Sequence, residues 1–341
     1  MFKPMKGRFL RAALVAVIAL FGVGIISADE RTTRNASTEV RRLLPWFPED
    51  TETLVAAQSF AVPRVSVDAF GKWAILMPSL ASERFDGFDF DHEPLVGRKV
   101  LIALNGMRCP RPVGSMGGFS AEGCSVVVFE RDLGDASVEW TSNLRKTAKE
   151  IRKIAGREVF CFASGESRAR SHPLVYFLRL APDTILCATH DGYLQELLNR
   201  IDTAPRGRAF PDSLPQWTTI DRSAPVWMIR KIPASPQQLI EGLTWTLAND
   251  QARVVYLPRG SSAERVLDRV RRCWEFRKAA GDLPDLDPLR ESLRKAIHCE
   301  LDKQGRVTVS FETEGQEESV RFLLYLLLYH AQIQEGDVGP T

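Results

Sequence analysis

The chain has 341 residues, 45 basic and 43 acidic side chains, a formal net charge of +2, and 44% hydrophobic residues. That balance is ordinary for a globular protein and excludes bulk disorder. Lys3, Lys6, Arg8 and Arg11 open the chain, so the residues after Ala28 hold 41 basics against 43 acids. The body of the chain therefore lacks the net basic charge that marks a nucleic-acid binder, and no nucleic-acid partner is expected.

Those four cations precede an unbroken apolar run, Ala12 to Ile26, and then Ser27-Ala28 leads into Asp29-Glu30-Arg31. A positive head, an apolar stretch and a small residue at the cut make a secretory signal peptide over residues 1–28. Fifteen apolar residues fall short of the roughly 20 that cross a bilayer as a helix. Cleavage after Ala28 is expected, with the protein exported to the periplasm or secreted. The alternative is an uncut N-terminal helix in the inner membrane, the one route by which this chain would touch a membrane. Six Cys remain (109, 124, 161, 187, 273 and 299), with no C-x-x-C spacing, so zinc-finger and thioredoxin-like chemistry are absent. Disulfides are permitted outside the cytoplasm, and Cys109–Cys124 is the candidate pair.

Residues 29–42 are polar and aperiodic and read as a flexible leader. Short apolar runs bounded by turn residues predict strands at Thr53–Phe60, Lys99–Leu104 and Ser125–Glu130. Ser137–Ala155 reads as a helix with Trp140, Leu144, Ile151 and Ile154 near one face and Gly156 as its cap. Strands follow at Glu158–Ala163, Leu174–Leu180 and Thr184–Thr189, the last two a hairpin around Ala181-Pro182-Asp183. Asp191 caps a helix through Ile201 with Leu194, Leu197, Leu198 and Ile201 inward. Residues 204–213 read as a linker.

Beyond it, Ala224–Arg230 is a strand. Ser235, Pro236 and Gln238 predict the start of a helix, Ala252–Leu257 another strand, and Ser261 with Glu264 a second capping box. Val266, Val270, Cys273 and Trp274 would line that helix. Ile297–Leu301 and Arg306–Phe311 read as a hairpin, and Gln316 to Ile333 as a buried last helix. The fold class is α+β: antiparallel sheets with helices packed on them, preceded by a signal helix. The phrases Leu44-Pro45-Trp46…Asp50 and Leu214-Pro215-Gln216-Trp217…Asp221 each lead into a strand, which predicts two similar lobes, 43–203 and 214–334, with a tail at 335–341.

The phrases at 43–55 (LLPWFPEDTETLV), 122–129 (EGCSVVVF), 181–189 (APDTILCAT) and 210–217 (FPDSLPQW) resemble, as a whole, exported bacterial proteins of unknown function. None is a catalytic signature, so the resemblance implies export and no activity.

Four features carry possible chemistry. Asp86 to Glu93 is an acidic loop in which Asp89, Asp91, His92 and Glu93 are candidate metal ligands, although the spacing fits neither a calcium loop nor H-E-x-x-H; a solvated loop is the plainer reading. His190-Asp191, at a strand-to-helix junction, is a candidate general base, but no G-x-S-x-G or S-x-x-K marks a nucleophile. The glycine-rich stretch 114–123 lacks the Lys and the following helix of a phosphate loop. Arg145, Lys149, Arg152 and Lys153, with Lys146 and Arg157, give the predicted helix a cationic face for an anionic ligand. No cofactor is implied. The expectation is an exported, non-catalytic binding or structural protein of the cell envelope with a partner there; the alternative is a hydrolase or metal-dependent enzyme using His190 or the 86–93 loop.

Overall fold

The computed structural model describes residues 35–61, 93–108, 122–163, 174–203, 207–234, 238–248, 251–279 and 298–312. The signal segment, most of the 86–93 loop, the glycine-rich stretch, the predicted last helix and the tail lie outside them. The described residues form an α+β fold of antiparallel strands and helices, in two compact units that divide between Asp212 and Ser213.

The first lobe begins with helix α1 (Ala36–Leu43), capped by Asn35, whose side chain accepts from the Ser37 amide at 2.8 Å. The polar reading of 29–42 as a flexible leader is thus corrected for 36–42. Only Val40 and Leu43 are apolar enough to anchor this short helix, and both are buried. A 3-10 turn, Leu44–Trp46, leads to β1 (Thr53–Ala61), β2 (Lys99–Arg108) and β3 (Glu122–Phe129). Helix α2 (Asp135–Thr147) follows, then β4 (Glu150–Ile154), β5 (Arg157–Ala163), β6 (Leu174–Ala181), β7 (Thr184–Ala188) and helix α3 (Asp191–Asp202). The strand order is β1-β2-β3-β7-β6-β5-β4, every neighbour antiparallel.

β7 is buried along its whole length, so the sheet is covered on both faces there. On one face Trp140 and Leu144 of α2 pack with Val127, Phe160, Phe177 and Cys187. The other face receives α1 and α3, with Tyr193, Leu194, Leu197 and Leu198 buried.

The predicted helix 137–155 is corrected to a helix that stops at Thr147 and a strand that starts at Glu150. Ala148 leaves helical geometry (ψ 135), and the chain turns back through Ala155 (φ 48) and Gly156 (φ 73) into β5. A left-handed Gly serves a helix cap and a two-residue hairpin equally well, which is why the sequence admitted both. Asp191 is the first residue of α3 and His190 occupies the cap position without a capping side-chain bond. Within the predicted linker, Phe210 is fully buried.

The second lobe repeats the plan. A 3-10 turn, Pro215–Thr218, precedes β8 (Val226–Lys231), β9 (Ile240–Ala248) and β10 (Gln251–Pro258). Helix α4 (Ala263–Ala279) and the hairpin β11 (His298–Leu301) and β12 (Val307–Glu312) complete it, in the order β11-β12-β10-β9-β8. The helix predicted from Ser235 is corrected to strand β9: Leu243, Trp245 and Leu247 alternate with Thr244 and Thr246, a period of two that outweighs the local capping pattern. Ser262, one residue later than expected, precedes α4, and its hydroxyl donates to the carbonyls of Leu239 and Arg259.

The two lobes are similar in order: a proline-led 3-10 turn, three meandering strands, a helix, then strands that return beside the third strand, β7 on β3 and β12 on β10. The first lobe inserts one extra hairpin, β4–β5. In each lobe an arginine stacks on the turn's tryptophan, Arg42 over Trp46 at 4.8 Å and Arg222 over Trp217 at 4.5 Å.

Gly106 in β2 is fixed by packing. A Cβ there would overlap the Phe47 ring and stand 3.0 Å from the Tyr193 hydroxyl. Gly106→Ala is therefore expected to lower stability by about 1–3 kcal/mol, read as a drop in urea midpoint at unchanged slope. Ala155 has the opposite problem, a non-glycine residue in left-handed backbone. Ala155→Gly is expected to raise the urea midpoint by a gain of about 1 kcal/mol, and an unchanged midpoint would show the turn carries no strain.

Candidate functional site

The densest polar constellation among the described residues was not foreseen. It lies in the first lobe, where the start of β1, the end of β2 and the start of β3 meet α3. Arg108, the last residue of β2, donates through Nε to Glu122 at 2.7 Å, and through Nη1 to Asp50 at 2.9 Å and to Glu196 at 3.0 Å. Its guanidinium lies over the Tyr193 ring, 5.0 Å from the centroid. The Tyr193 hydroxyl in turn shares a 2.8 Å hydrogen bond with Thr51.

One cation thus gathers three carboxylates, from β3, α3 and the turn before β1. Burial alone would lower the Arg108 pKa, but the bonds to Glu122 and Asp50 outweigh it and hold the group more firmly protonated. Burial raises the Tyr193 phenol well above its usual value, with the Thr51 bond opposing. Arg108 and Tyr193 thus each keep one charge state across physiological pH, and the ion pairs bind the surrounding elements together. A second tie sits nearby: Arg200 of α3 donates to the carbonyls of Pro45, at 3.0 Å, and of Gly207.

His190 lies in the same lobe. Its Nδ1 is 2.9 Å from the Thr189 hydroxyl, and that hydroxyl also accepts from the Gly123 amide at 3.1 Å. A hydroxyl beside an imidazole is the start of a nucleophile–base pair. Thr189, however, is 3% exposed and already engaged by Gly123, so substrate has no access to its oxygen. Asp191 does not orient the imidazole: it accepts from the Gly192 amide at 2.8 Å and leans toward Arg152 at 3.7 Å.

Of the candidate metal ligands, Asp89, Asp91 and His92 lie outside the described residues, and Glu93 opens a 3-10 turn, Glu93–Leu95. Among the described residues no group of three or more His, Cys, Asp or Glu is placed to hold a metal ion. Cys124 is a free thiol, fully buried, whose pKa burial raises; its candidate partner Cys109 lies outside the described residues.

The cationic candidates do not share a helix face. Arg145 and Lys146 end α2, Lys149 lies in the connection, and Arg152 and Lys153 are in β4. Arg145 pairs with Glu158 and Arg152 with Glu150, at 2.8 Å, while Arg157 of β5 pairs with Asp202, at 2.5 Å. Beside Arg152, burial first and then the Asp191 charge push the Tyr176 phenol up to about 12.

No family model and no curated protein sequence matches the chain. Among solved structures, crystal form I of TP0453 from Treponema pallidum aligns with a TM-score of 0.40 and 11% identity, covering 83% of this chain and 97% of that one. Crystal form IV of the same protein aligns with a TM-score of 0.39 and 12% identity, over 82% and 96% of the two chains.

The Arg108 assembly was invisible in the sequence because its members are 14, 58 and 88 residues apart. Arg108→Met should destabilise the protein by about 1–2 kcal/mol, since most of the partners are partly exposed. Arg108→Lys should recover little of it, because an ammonium lacks the fork that reaches three carboxylates. Urea midpoints of both variants check this; full recovery by lysine would reduce the assembly to bulk charge.

Proposed function

We propose that the chain is an exported, non-catalytic α+β protein that acts by binding or packing in the cell envelope. The observation that carries the reading is the use of its polar residues. The strongest polar assembly, around Arg108, ties β2 to β3, α3 and the turn before β1 through ion pairs, and the hydroxyl beside His190 is buried and shared with a backbone amide. Groups committed in this way hold a scaffold; catalysis needs a base and a nucleophile that meet in an open cleft. The compartment rests on the opening of the chain, four cations followed by the 12–26 apolar run. The expected partner is a component of the envelope.

Expression of the full chain in a bacterial host, followed by fractionation and N-terminal sequencing, tests the export half. The expected result is a periplasmic or secreted product beginning at Asp29. An intact Met1 end in the membrane fraction selects the anchored form, and full-length protein free in the cytosol overturns export altogether.

A further inference from the structure

The outer edge of the first lobe has features that the scaffold does not use. Among the described residues β4 is the terminal strand of the order, bonded to β5 on one side only. Such an edge offers backbone N–H and C=O groups to an added strand. Its side chains divide by alternation. Glu150 and Arg152 lie on one face and pair with each other, at 2.8 and 2.9 Å. Ile151 and Lys153 lie on the other. Ile151 is 43% exposed, one of two large hydrophobic residues so exposed among the described residues.

Lysines surround it. Lys149 immediately precedes the strand, and Lys146 ends α2; with Lys153 all three are exposed. Glu158 stands opposite Lys153 in the ladder, but Arg145 holds its carboxylate. Among the described residues no carboxylate oxygen lies within ion-pair distance of Lys146, Lys149 or Lys153, and the Glu150 carboxylate that feels the Lys149 charge is bonded to Arg152. Lysines on an edge also discourage a sheet from pairing with itself. A guard of that kind has no use for an exposed isoleucine between the charges, whereas a docking strand does.

We propose that β4 is a docking edge for an acidic, extended segment of a partner protein, added as a further antiparallel or parallel strand. The segment would carry acidic–x–apolar–x–acidic residues, its carboxylates meeting Lys149 and Lys153 about 13 Å apart and its apolar side chain covering Ile151. The inference rests on the reading of the chain as a binding protein and names the chemistry of its partner.

The test uses the purified full chain and a fluorescein-labelled synthetic peptide, Thr-Glu-Thr-Val-Thr-Glu-Thr. Fluorescence anisotropy at low ionic strength should show saturable binding, weakened about tenfold in the Lys149→Ser/Lys153→Ser double variant, whose exposed positions leave folding intact. The same peptide N-methylated at every residue keeps its charges but has no backbone N–H to give on either edge; it should not bind. Equal binding of the methylated peptide, stronger binding to phosphatidylglycerol vesicles or heparin than to the peptide, or no binding at all overturns the proposal. So does self-association of the double variant without loss of peptide affinity, which would make the lysines guards. These outcomes leave export untouched, because the fractionation result reads it separately.

Discussion

The first lobe depends on the close approach of the 3-10 turn and α3 to the C-terminal end of β2. A strand buried on both faces must be covered without leaving polar groups stranded, and here the covering layer comes within van der Waals contact of bare backbone at Gly106. Phe47 lies over the glycine, Tyr193 closes the gap from α3, and Thr51 satisfies the phenol. Two residues further along, Arg108 ties the same layers with charge, reaching Asp50, Glu122 and Glu196 while its planar face rests on Tyr193. Apolar contact and ion pairing therefore act on one junction from opposite sides, the first buried and the second at the boundary with water.

This arrangement explains why the polar residues that drew notice in the sequence have structural partners. His190 stands at the head of α3, and its neighbour Thr189 is the last buried residue before the helix. The hydroxyl that a base would activate bridges instead to β3 through the Gly123 amide. Arg145, Arg152 and Arg157, expected as a free cationic face, each meet a carboxylate from their own or a neighbouring element.

Where local pattern and burial agreed, the sequence was a sound guide. The runs at 53–60, 125–130, 174–180 and 184–189 became strands because β-branched and aromatic residues there are buried, and the Ala181-Pro182-Asp183 turn joins the last two as a hairpin. Errors arose where one signal has two physical uses. Gly156 in left-handed backbone closes a hairpin as readily as a helix, and Ser235-Pro236 preceded a strand whose Thr-Trp-Thr alternation was the stronger evidence. Of the candidate site, single residues were legible but their grouping was not. Arg108 and Glu196 are 88 positions apart, and only the return of the chain through β7 into α3 brings them together.

The doubled plan of the chain bears on how it reaches its native state. In both lobes the third strand waits for a partner that arrives only after an intervening helix: Val127 meets Ile185, and Val254 meets Val309. An unfolded chain presents two look-alike vacancies and two look-alike closing strands. The two return paths are nearly equal, 58 positions from Val127 to Ile185 and 55 from Val254 to Val309, whereas a crossed pairing of Val127 with Val309 would close 182, so loop entropy favours each lobe closing on its own segment.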